Sequence, residues 1–337
     1  MKILIIGGTG TISTEISKKL IADGEELYIL NRTGRSDILP EGAHYIKADI
    51  NDETSAAAAL EGLSFDAVCD FIVFDKTQLE RDYRLFNGRT KQFVYISSAS
   101  AYNKPCASYI ITEGTALANP YWEYSRKKIE GERYLMELWQ NEGFPVTIVR
   151  PSHTYNERSV PLGVHGKKGS WQVIKRMIEG KQVIIQGDGT SLWTMTDSRD
   201  FAVAFTGLLG NPHALGEAFQ ITSDETLTWN QIYRTIADCL NVELRPYYVS
   251  SSFLASTSDY DLLGSLIGDK SNSVVFDNSK VKKAVPGFKP SIRFEQGIRR
   301  TLDYVISHSE CQEDDPEFDK WCDDVIDALE AAKKALK

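Results

Sequence analysis

The fold of this chain is decided by a stretch close to its first residue, Lys2-Ile-Leu-Ile-Ile-Gly7-Gly-Thr-Gly10-Thr-Ile-Ser13. The apolar run before Gly7 predicts a short buried strand, and the residues over 13–23 have the spacing of a helix. A glycine-rich turn between a strand and a helix is a local structure that binds the pyrophosphate of a dinucleotide. The stretch therefore predicts the first strand, loop and helix of a dinucleotide-binding domain.

The predicted phosphate loop divides its tasks among small residues. Gly7 allows the tight turn, Gly10 lets a pyrophosphate approach the backbone, and Ser13 stands where the dinucleotide pattern has a third glycine. Serine is small enough for close packing of the helix on the strand, although it departs from that pattern. The other predicted cofactor contacts in this loop are Thr9, Thr11 and Ile12.

The first half of the chain alternates short apolar runs with helical stretches. Strands are predicted over 2–6, 26–30, 44–47, 67–74, 92–97 and 146–150. Helices are predicted over 13–23, 55–60, 77–85 and 121–142. This order predicts an α/β fold, in which a doubly wound parallel sheet of the Rossmann type carries helices on both faces.

The predicted domain boundaries follow from the same pattern. Pro151 breaks the alternation, so residues 1–150 are predicted to form the dinucleotide-binding domain. Residues 151–310 are predicted to form a smaller, partly discontinuous α/β lobe, for which a family resemblance implies substrate binding, and parts of 190–225 are expected to return to the first domain. Residues 311–337 are predicted to form a tail that is acidic first and then helical.

Composition limits the classes of function. The 337 residues are 42% hydrophobic and 25% charged, which is typical of a globular protein, and the net charge of −9 argues against a general nucleic-acid or anionic-membrane surface. No apolar run reaches the ~18 residues of a membrane span. Five scattered cysteines without a CxxC pair and five scattered histidines predict a cytoplasmic protein with no disulfide framework and no metal site.

The residues after the second predicted strand bear on the choice of cofactor. A carboxylate at the end of that strand would bind a ribose 2′-hydroxyl, but Asn31 and Arg32 occupy the place. Arg32 and Arg35 could pair with a 2′-phosphate, which favours NADP slightly over NAD, although both could instead be solvated surface residues. Asp49 and Ile50 follow the third predicted strand and are expected near the adenine, where Asp49 could also be an ordinary turn residue.

Tyr124 and Lys128 are four residues apart in a predicted helix and therefore share one face of it. A phenol with a pKa of about 10 is a poor base at neutral pH. A lysine ammonium about 4 Å away, at an effective dielectric constant near 20, would favour the phenolate by roughly 4 kcal/mol. That could lower the tyrosine pKa to roughly 7, so the spacing predicts an acid/base pair, although the same spacing also arises by chance in many helices.

Several motifs in sequence order resemble the extended short-chain dehydrogenase/reductase family, the NAD-dependent epimerase/dehydratase group. The phosphate loop matches, and the segment 95–102 is similar to the family's serine-bearing strand end. The segments 120–128, 150–155, 186–190 and 199–202 resemble the Tyr-x-x-x-Lys helix and the motifs of the substrate lobe. The resemblance extends over nearly the whole chain and implies the Rossmann fold.

The resemblance implies roles for individual residues. Tyr124 would be the general acid/base, and Lys128 would lower its pKa and hold the nicotinamide ribose. Ser98 would hydrogen-bond the reacting oxygen, with Ser100 as a less favoured alternative. Tyr121 is not expected to be the base, because Lys128 is seven residues from it.

Departures from the family pattern narrow the range of reactions and substrates that are expected. Ala99 and Ser100 stand where the sugar 4,6-dehydratases carry an acidic pair, so elimination of water by that route is not expected. Trp193 stands where many nucleotide-sugar enzymes have an arginine for the substrate pyrophosphate, which weakens that substrate assignment. His153 stands where many members have asparagine. Ser100, His153 and Trp193 are the candidate substrate contacts.

The sequence therefore predicts an NAD(P)-dependent enzyme that transfers a hydride on a hydroxyl-bearing, sugar-like substrate, possibly a nucleotide sugar. Epimerisation is slightly favoured, and an NADP-dependent reductase or dehydrogenase is the alternative. A different class is also open, since the 66–70 strand and the segment 193–196 resemble a branch with chloroplast stem-loop RNA-binding proteins. That reading gives a non-catalytic cofactor-binding or RNA-binding scaffold. The helix over 121–142 resembles the pairing helix of family dimers, which predicts a homodimer unless its apolar residues are buried within the monomer.

Overall fold

A computed structural model describes residues 1–32 and 40–337 of the chain. Its strands are β1 Lys2–Ile6, β2 Glu26–Asn31, β3 His44–Lys47, β4 Ala67–Asp70, β5 Phe93–Ile96, β6 Ile110–Ile111, β7 Val146–Pro151, β8 His153–Tyr155, β9 Val183–Gln186, β10 Leu192–Trp193, β11 Met195–Asp197, β12 Glu217–Ile221, β13 Leu227–Thr228, β14 Pro246–Val249 and β15 Val275–Phe276.

The α-helices connect these strands and end the chain. They are α1 Ser13–Ala22, α2 Glu53–Ala59, α3 Lys76–Phe86, α4 Glu123–Glu142, α5 Trp171–Ile178, α6 Ser198–Leu208, α7 Trp229–Leu240, α8 Ser251–Ser256, α9 Ser279–Ala284, α10 Phe294–Ser307 and α11 Pro316–Ala335. Short 3₁₀ turns lie at Ala99–Ala101, Pro212–Ala214 and Ser309–Cys311, and a π-helix spans Leu263–Lys270.

A seven-stranded parallel sheet organises the described residues, in the order β12-β7-β5-β4-β1-β2-β3. The predicted doubly wound α/β fold is therefore confirmed. β12 pairs with β7 at one edge, so the chain returns to the sheet after β8 to β11 have formed elsewhere. Residues 151–337 therefore include both segments that join this sheet and segments that lie outside it.

The apolar run of β1 explains how the sheet is covered on both faces. Ile3 and Ile5 pack with α1 and α6, whereas Leu4 and Ile6 pack on the opposite side with residues of α2, α3 and α4. Successive residues of a strand point to opposite faces, so a strand buried on both sides needs a continuous apolar run. The sequence supplies that run directly before the glycine loop.

β4 is shorter than the predicted strand over 67–74. It ends at Asp70, whose carboxylate accepts a hydrogen bond from the backbone N–H of Ile72 at 2.7 Å. This local bond turns the chain after Asp70, as short polar side chains often do by bonding backbone two residues on. The segment Phe71–Phe74 thereby leaves the sheet and crosses its carboxyl edge, beside the phosphate loop.

The remaining elements form a second hydrophobic core. It combines residues of β9, α5, α7, α10 and α11 with four two-stranded pairings, which are β6 with β15, β8 with β11, β9 with β14 and β10 with β13. The tail helix α11 joins this core through Phe318, Cys322, Val325 and Ile326. Within residues 1–32 and 40–337, the helices are too short or too polar to traverse a bilayer.

Candidate active site

The predicted phosphate loop lies between β1 and α1. Gly7 and Gly8 both adopt positive φ, at 105° and 66°, which favours glycine because it has no Cβ. A Cβ on Gly8 would also lie 2.6 Å from Cγ2 of Ile29 in β2. Gly8 is therefore required by conformation and by packing, although the sequence pattern assigned the turn to Gly7 alone.

The other end of the loop fits an anionic group. The N-terminus of α1 carries no side-chain cap, so its first backbone N–H groups have no side-chain acceptor. A Cβ on Gly10 would approach only the Ser13 hydroxyl, at 3.5 Å, so the space in front of this residue is open. Ser13 is buried and its hydroxyl accepts the Gly10 N–H at 2.9 Å. These features suit the pyrophosphate of a dinucleotide.

The predicted ribose and adenine contacts lie at the ends of β2 and β3. Arg32 is 68% exposed, and its guanidinium lies 3.8 Å from a carboxylate oxygen of Asp49. The hydroxyl of Tyr45 donates to the side-chain oxygen of Asn31 at 2.9 Å, and Ile50 is buried. Arg35 lies outside the described residues. The end of β2 has no carboxylate of its own, but the carboxylate of Asp49 lies near it. The sequence had predicted that Asp49 lies near the adenine.

Lys128 is buried on α4 and fastens two backbone segments together. Its ammonium donates to the carbonyl oxygen of Val73 at 2.6 Å and to that of Ile96 at 2.7 Å. Burial lowers the pKa of Lys128 to about 8, while Asp70 and Glu132 raise it in part. The side chain therefore connects the segment after β4 to the end of β5, directly beneath Tyr124.

Tyr124 does not have the lowered pKa that its spacing from Lys128 suggested. Burial raises the pKa of the phenol, contact with the Ser98 hydroxyl lowers it in part, and the charge of Asp269 raises it further. The ammonium of Lys128 lies 5.7 Å from the centre of the tyrosine ring and bonds to carbonyl groups instead. The expectation of a pKa near 7 is wrong in direction, because burial of a phenolate is costly and the ammonium is held elsewhere.

Ser98 and Ser100 form a chain of hydroxyl groups beside Tyr124. The two hydroxyl oxygens are 2.8 Å apart, and the Ser125 hydroxyl donates to that of Ser100 at 2.7 Å. The amide of Asn119 donates to the backbone carbonyl of Ser100 at 2.8 Å. Ser98 is the member of this chain of hydroxyl groups that contacts the phenol of Tyr124, and Ser100 bonds to Ser98.

One cavity of about 280 Å³ contains most of the predicted catalytic and substrate residues. Its walls include Ser98, Ser100, Tyr124, His153 and Trp193. They also include four residues that sequence reasoning missed, namely Lys104, Trp122, Asp269 and Lys270. Neither Ala99 nor Ser100 supplies an acid here, so the pair used for elimination in the 4,6-dehydratases has no counterpart at these two positions.

The geometry of His153 fixes where its proton lies. The indole N–H of Trp193 donates to Nδ1 of His153 at 3.2 Å, so Nδ1 is the acceptor and the proton of the neutral ring is on Nε2. Burial lowers the pKa of His153 well below its usual range, and the charges of Lys270 and His165 lower it further. Trp193 itself stacks on Trp229 with ring centres 5.6 Å apart, so it orients the histidine and packs in the core.

The cavity adjoins the phosphate loop at the carboxyl edge of the sheet. His153 also lines a smaller neighbouring cavity of about 120 Å³ together with Thr11 of the loop. A Cβ on Gly7 would lie 3.1 Å from Ile72, next to the Val73 carbonyl that Lys128 binds. Ligands of open α/β sheets bind at this edge. The structure thus brings together the loop, the hydroxyl groups and the tyrosine predicted separately.

Helix α4 gives no support to the predicted dimer. Ile129, Leu135 and Leu138, the apolar residues on which that prediction rested, are buried within the protomer. Their burial matches the alternative reading, in which the apolar residues of this helix pack within the monomer. The homodimer stays a prediction.

Comparison with known proteins identifies relatives along most of the chain. The model of the NAD dependent epimerase/dehydratase family matches residues 3–222. A 2′-dehydrokanamycin reductase of Streptomyces kanamyceticus is 24% identical over 271 residues, covering 77% of this chain and 76% of that protein. The chloroplast stem-loop binding protein of 41 kDa b of Arabidopsis thaliana is 26% identical over 250 residues, covering 70% of this chain and 62% of that protein.

A solved structure supports the same fold. The UDP-glucose 4-epimerase of Thermotoga maritima, determined with UDP-glucose, superposes with a TM-score of 0.70 at 21% identity. The match covers 91% of this chain and 99% of that one. The expected similarity to the stem-loop binding branch is also present, but the net charge of −9 gives no electrostatic footprint for RNA.

Proposed function

The chain belongs to the NAD dependent epimerase/dehydratase family and is an enzyme, and on that premise we propose that it transfers a hydride reversibly between a nicotinamide dinucleotide and a secondary hydroxyl of a sugar-like substrate. The observation that carries the proposal is the shared cavity of Ser98 and Tyr124, which adjoins the phosphate loop through His153. Epimerisation is the expected outcome.

The cofactor would be held by the residues already described. The loop over 7–13 and the uncapped N-terminus of α1 would receive the pyrophosphate, and Lys128 would face the nicotinamide ribose. The dinucleotide, when bound, supplies the carrier that accepts and returns the hydride. Arg32 supports NADP, whereas its partner Asp49 would repel a 2′-phosphate and supports NAD. Native mass spectrometry distinguishes the two, since a retained dinucleotide reveals the extra phosphate by its mass.

The chemistry of the chain's own residues is a proton transfer at the reacting oxygen. Tyr124 removes the proton of the substrate hydroxyl during oxidation and returns it to the carbonyl oxygen during reduction. Ser98 donates a hydrogen bond to the same oxygen and keeps it within reach of the phenol. Lys128, with its lowered pKa, holds the segment after β4 in place and keeps positive charge beneath the tyrosine.

Net reduction of a ketone is the second candidate. The raised pKa of Tyr124 keeps the phenol protonated at neutral pH, which suits a group that must donate a proton to a carbonyl oxygen. The similarity to 2′-dehydrokanamycin reductase points the same way. An epimerase would keep its dinucleotide through turnover and show no net change in cofactor absorbance, whereas a reductase would consume it.

The test is Tyr124→Phe, which removes the proton-transferring group and leaves the ring. Turnover is expected to fall by about 10²–10⁴-fold, the usual contribution of general acid/base catalysis. The measurement follows cofactor absorbance and product stereochemistry by NMR with a panel of sugars and their keto derivatives, while dinucleotide binding is checked separately.

Tyr121→Phe is the matched control. Tyr121 lies just before the same helix but is 39% exposed, and it is expected to tolerate the change with near wild-type turnover. Survival of turnover in Tyr124→Phe, with Tyr121→Phe equally active, would exclude the proposed mechanism.

A further inference from the structure

Three charged side chains line the cavity together with Tyr124 and have no task in the proton transfer. They are Lys104, Asp269 and Lys270. Lys104 follows the serine-bearing strand end, and the other two lie far along the chain at the end of the π-helix. Charged residues are seldom buried without partners, so their place in a substrate cavity calls for a physical reason.

The backbone of Lys104 is hydrogen-bonded, whereas its side chain forms only a long ion pair. Its backbone N–H donates to the carbonyl oxygen of Ala118 at 2.9 Å, and its side chain is only 2% exposed. Its ammonium lies 3.6 Å from a carboxylate oxygen of Asp269. A charge-assisted hydrogen bond is shorter, at about 2.7–2.9 Å, so Lys104 retains donors that Asp269 does not engage.

The π-helix Leu263–Lys270 holds Asp269 and Lys270 against the segment that carries Ser98 and Ser100. The amide of Asn119 donates both to the carbonyl of Gly268, at 2.7 Å, and to that of Ser100. The indole of Trp229 donates to the carbonyl of Lys270 at 3.0 Å. π-Helical turns are rare and often occur at functional sites. The positions of Asp269 and Lys270 relative to the serines are therefore set by direct bonds.

The charges of this group do not balance. Among the residues that line the cavity, two ammonium groups face one carboxylate, and a second carboxylate, that of Asp261, lies outside the lining and accepts the indole N–H of Trp122 at 2.7 Å. Among residues 1–32 and 40–337, the ammonium of Lys270 has no hydrogen-bond partner and no ion pair within 4 Å. Lys270 is partly buried. Burial lowers its pKa, while Asp269 and Asp261 raise it in part. Its charge also lowers the pKa of His153. Lys270 and His153 thus line the same cavity.

We propose that Lys104 and Lys270, balanced in part by Asp269, bind an anionic group of the substrate, so that the substrate is a sugar acid or a sugar phosphate monoester. The inference rests on the proposed function and specifies its substrate class. The Nε2–H of His153 is a further donor on the same wall. The excess positive charge would attract a carboxylate or phosphate and would repel an amino sugar.

Isothermal titration calorimetry tests this with four probes of similar size. D-Glucuronate carries a carboxylate, D-glucose 6-phosphate a phosphate, D-glucosamine an ammonium, and D-glucose no charge. At least one anion is expected to bind about tenfold or more tightly than D-glucose, because charge-assisted bonds are roughly twice as strong as neutral ones. The stronger anion identifies the group, and D-glucosamine is expected to bind most weakly.

Variants separate recognition from structure. Lys270→Met is expected to weaken binding of the preferred anion by about tenfold or more and to leave D-glucose affinity unchanged. Asp269→Asn removes the opposing charge and is expected to tighten anion binding, an effect that a purely structural role would not produce. Lys127→Met, on the exposed face of α4, is the control and is expected to bind as wild type.

The outcomes distinguish this inference from the proposed function. Tyr124→Phe is expected to retain the preference for the anion over D-glucose, since its phenol is not part of the charged group. Turnover that survives in Tyr124→Phe would contradict the function but leave the anion site standing. Wild-type protein that binds no anion more tightly than D-glucose, or a folded Lys270→Met with unchanged anion affinity, would overturn the anion site.

Discussion

Two groups of charged side chains in the molecule are built differently. The sheet-side cluster comprises Asp70, Arg81, Asp82, Glu132 and Arg150, and the cavity cluster comprises Lys104, Asp269 and Lys270. In the sheet-side cluster each guanidinium meets a carboxylate oxygen closely, at 2.7 Å for Arg81 with Asp82 and 2.6 Å for Arg150 with Glu132. In the cavity cluster the tightest ion pair is 3.6 Å long.

The difference indicates which charges serve the fold and which serve a ligand. A buried ion pair repays its desolvation cost only when its geometry is good and its remaining hydrogen bonds are made. In the sheet-side cluster the Glu132–Arg150 pair meets that condition, because two guanidinium N–H groups of Arg150 bond to the two carboxylate oxygens of Glu132 and a third donates to the backbone carbonyl of Glu113. The cavity cluster does not meet it within the described chain, which supports the proposed anion site.

The largest expected effect comes from breaking the sheet-side cluster. Glu132→Ala leaves Arg150 buried without its carboxylate, and removal of one partner from a buried pair costs about 3–5 kcal/mol. The free energy of unfolding from urea denaturation would measure this loss.

Lys270→Met is the matched change in the cavity cluster, because it removes a partly buried cation that has no close partner. The variant is expected to lower the free energy of unfolding by less than about 1 kcal/mol, since no ion pair is broken. An equal loss of stability in the two variants would remove the distinction between the clusters.

A smaller effect is expected on the pH dependence of turnover. The charge of Asp269 raises the pKa of Tyr124 in addition to burial, so Asp269→Asn is expected to lower that pKa. Oxidation of an alcohol needs the deprotonated phenol, and its rate therefore rises with pH through this pKa. The rising limb of the kcat/KM profile is expected to move to lower pH in Asp269→Asn.

The charged groups around the phenol are Lys104, Asp269 and Lys270 in the cavity wall and Lys128 on α4, and only Asp269 is changed in that variant. Asp259→Asn, in the neighbouring groove lined by Trp122, is the control and is expected to leave the limb in place. A limb that shifts equally in both variants, or in neither, would mean that the cavity cluster does not tune Tyr124.

The last expected effect concerns stability at mild acidity. The folded pKa of His153 lies well below the unfolded value of about 6.5, so the unfolded chain binds more protons in that window. The stabilising contribution is complete above pH of about 6.5 and is lost as the pH falls toward the folded value, by at most about 1.4 kcal/mol per pH unit.

His153→Asn removes this proton uptake and is expected to flatten the loss of stability between neutral and mildly acidic pH, as read from urea denaturation at several pH values. His165 has a pKa lowered in the same direction and contributes equally to both proteins. The exposed His213→Asn is the control and should retain the wild-type slope. An unchanged slope in His153→Asn would show that the histidine is not held neutral beside the cavity cluster.

Much of the fold was predictable because its signals are local. The apolar run before Gly7, the glycine turn and the helix after Ser13 lie within a few residues of each other, and the later alternation of strands and helices repeats the same pattern. The errors were local too, since β4 ends early at Asp70, where a side-chain bond to the backbone of Ile72 turns the chain. The requirement for glycine at position 8 was missed because it depends on contact with Ile29 of another strand.

By itself, the sequence determined the sheet, the loop and the spacing of Tyr124 from Lys128, because each depends on the helical or strand period of nearby residues. Only the tertiary structure decided what surrounds the phenol. Burial raises the pKa of the phenol, and Lys128 bonds to the carbonyls of Val73 and Ile96. The π-helix brings Asp269 and Lys270 into the cavity wall, which no local sequence signal predicted. Electrostatics depend on distance and burial in space, which residues far apart in the chain set together.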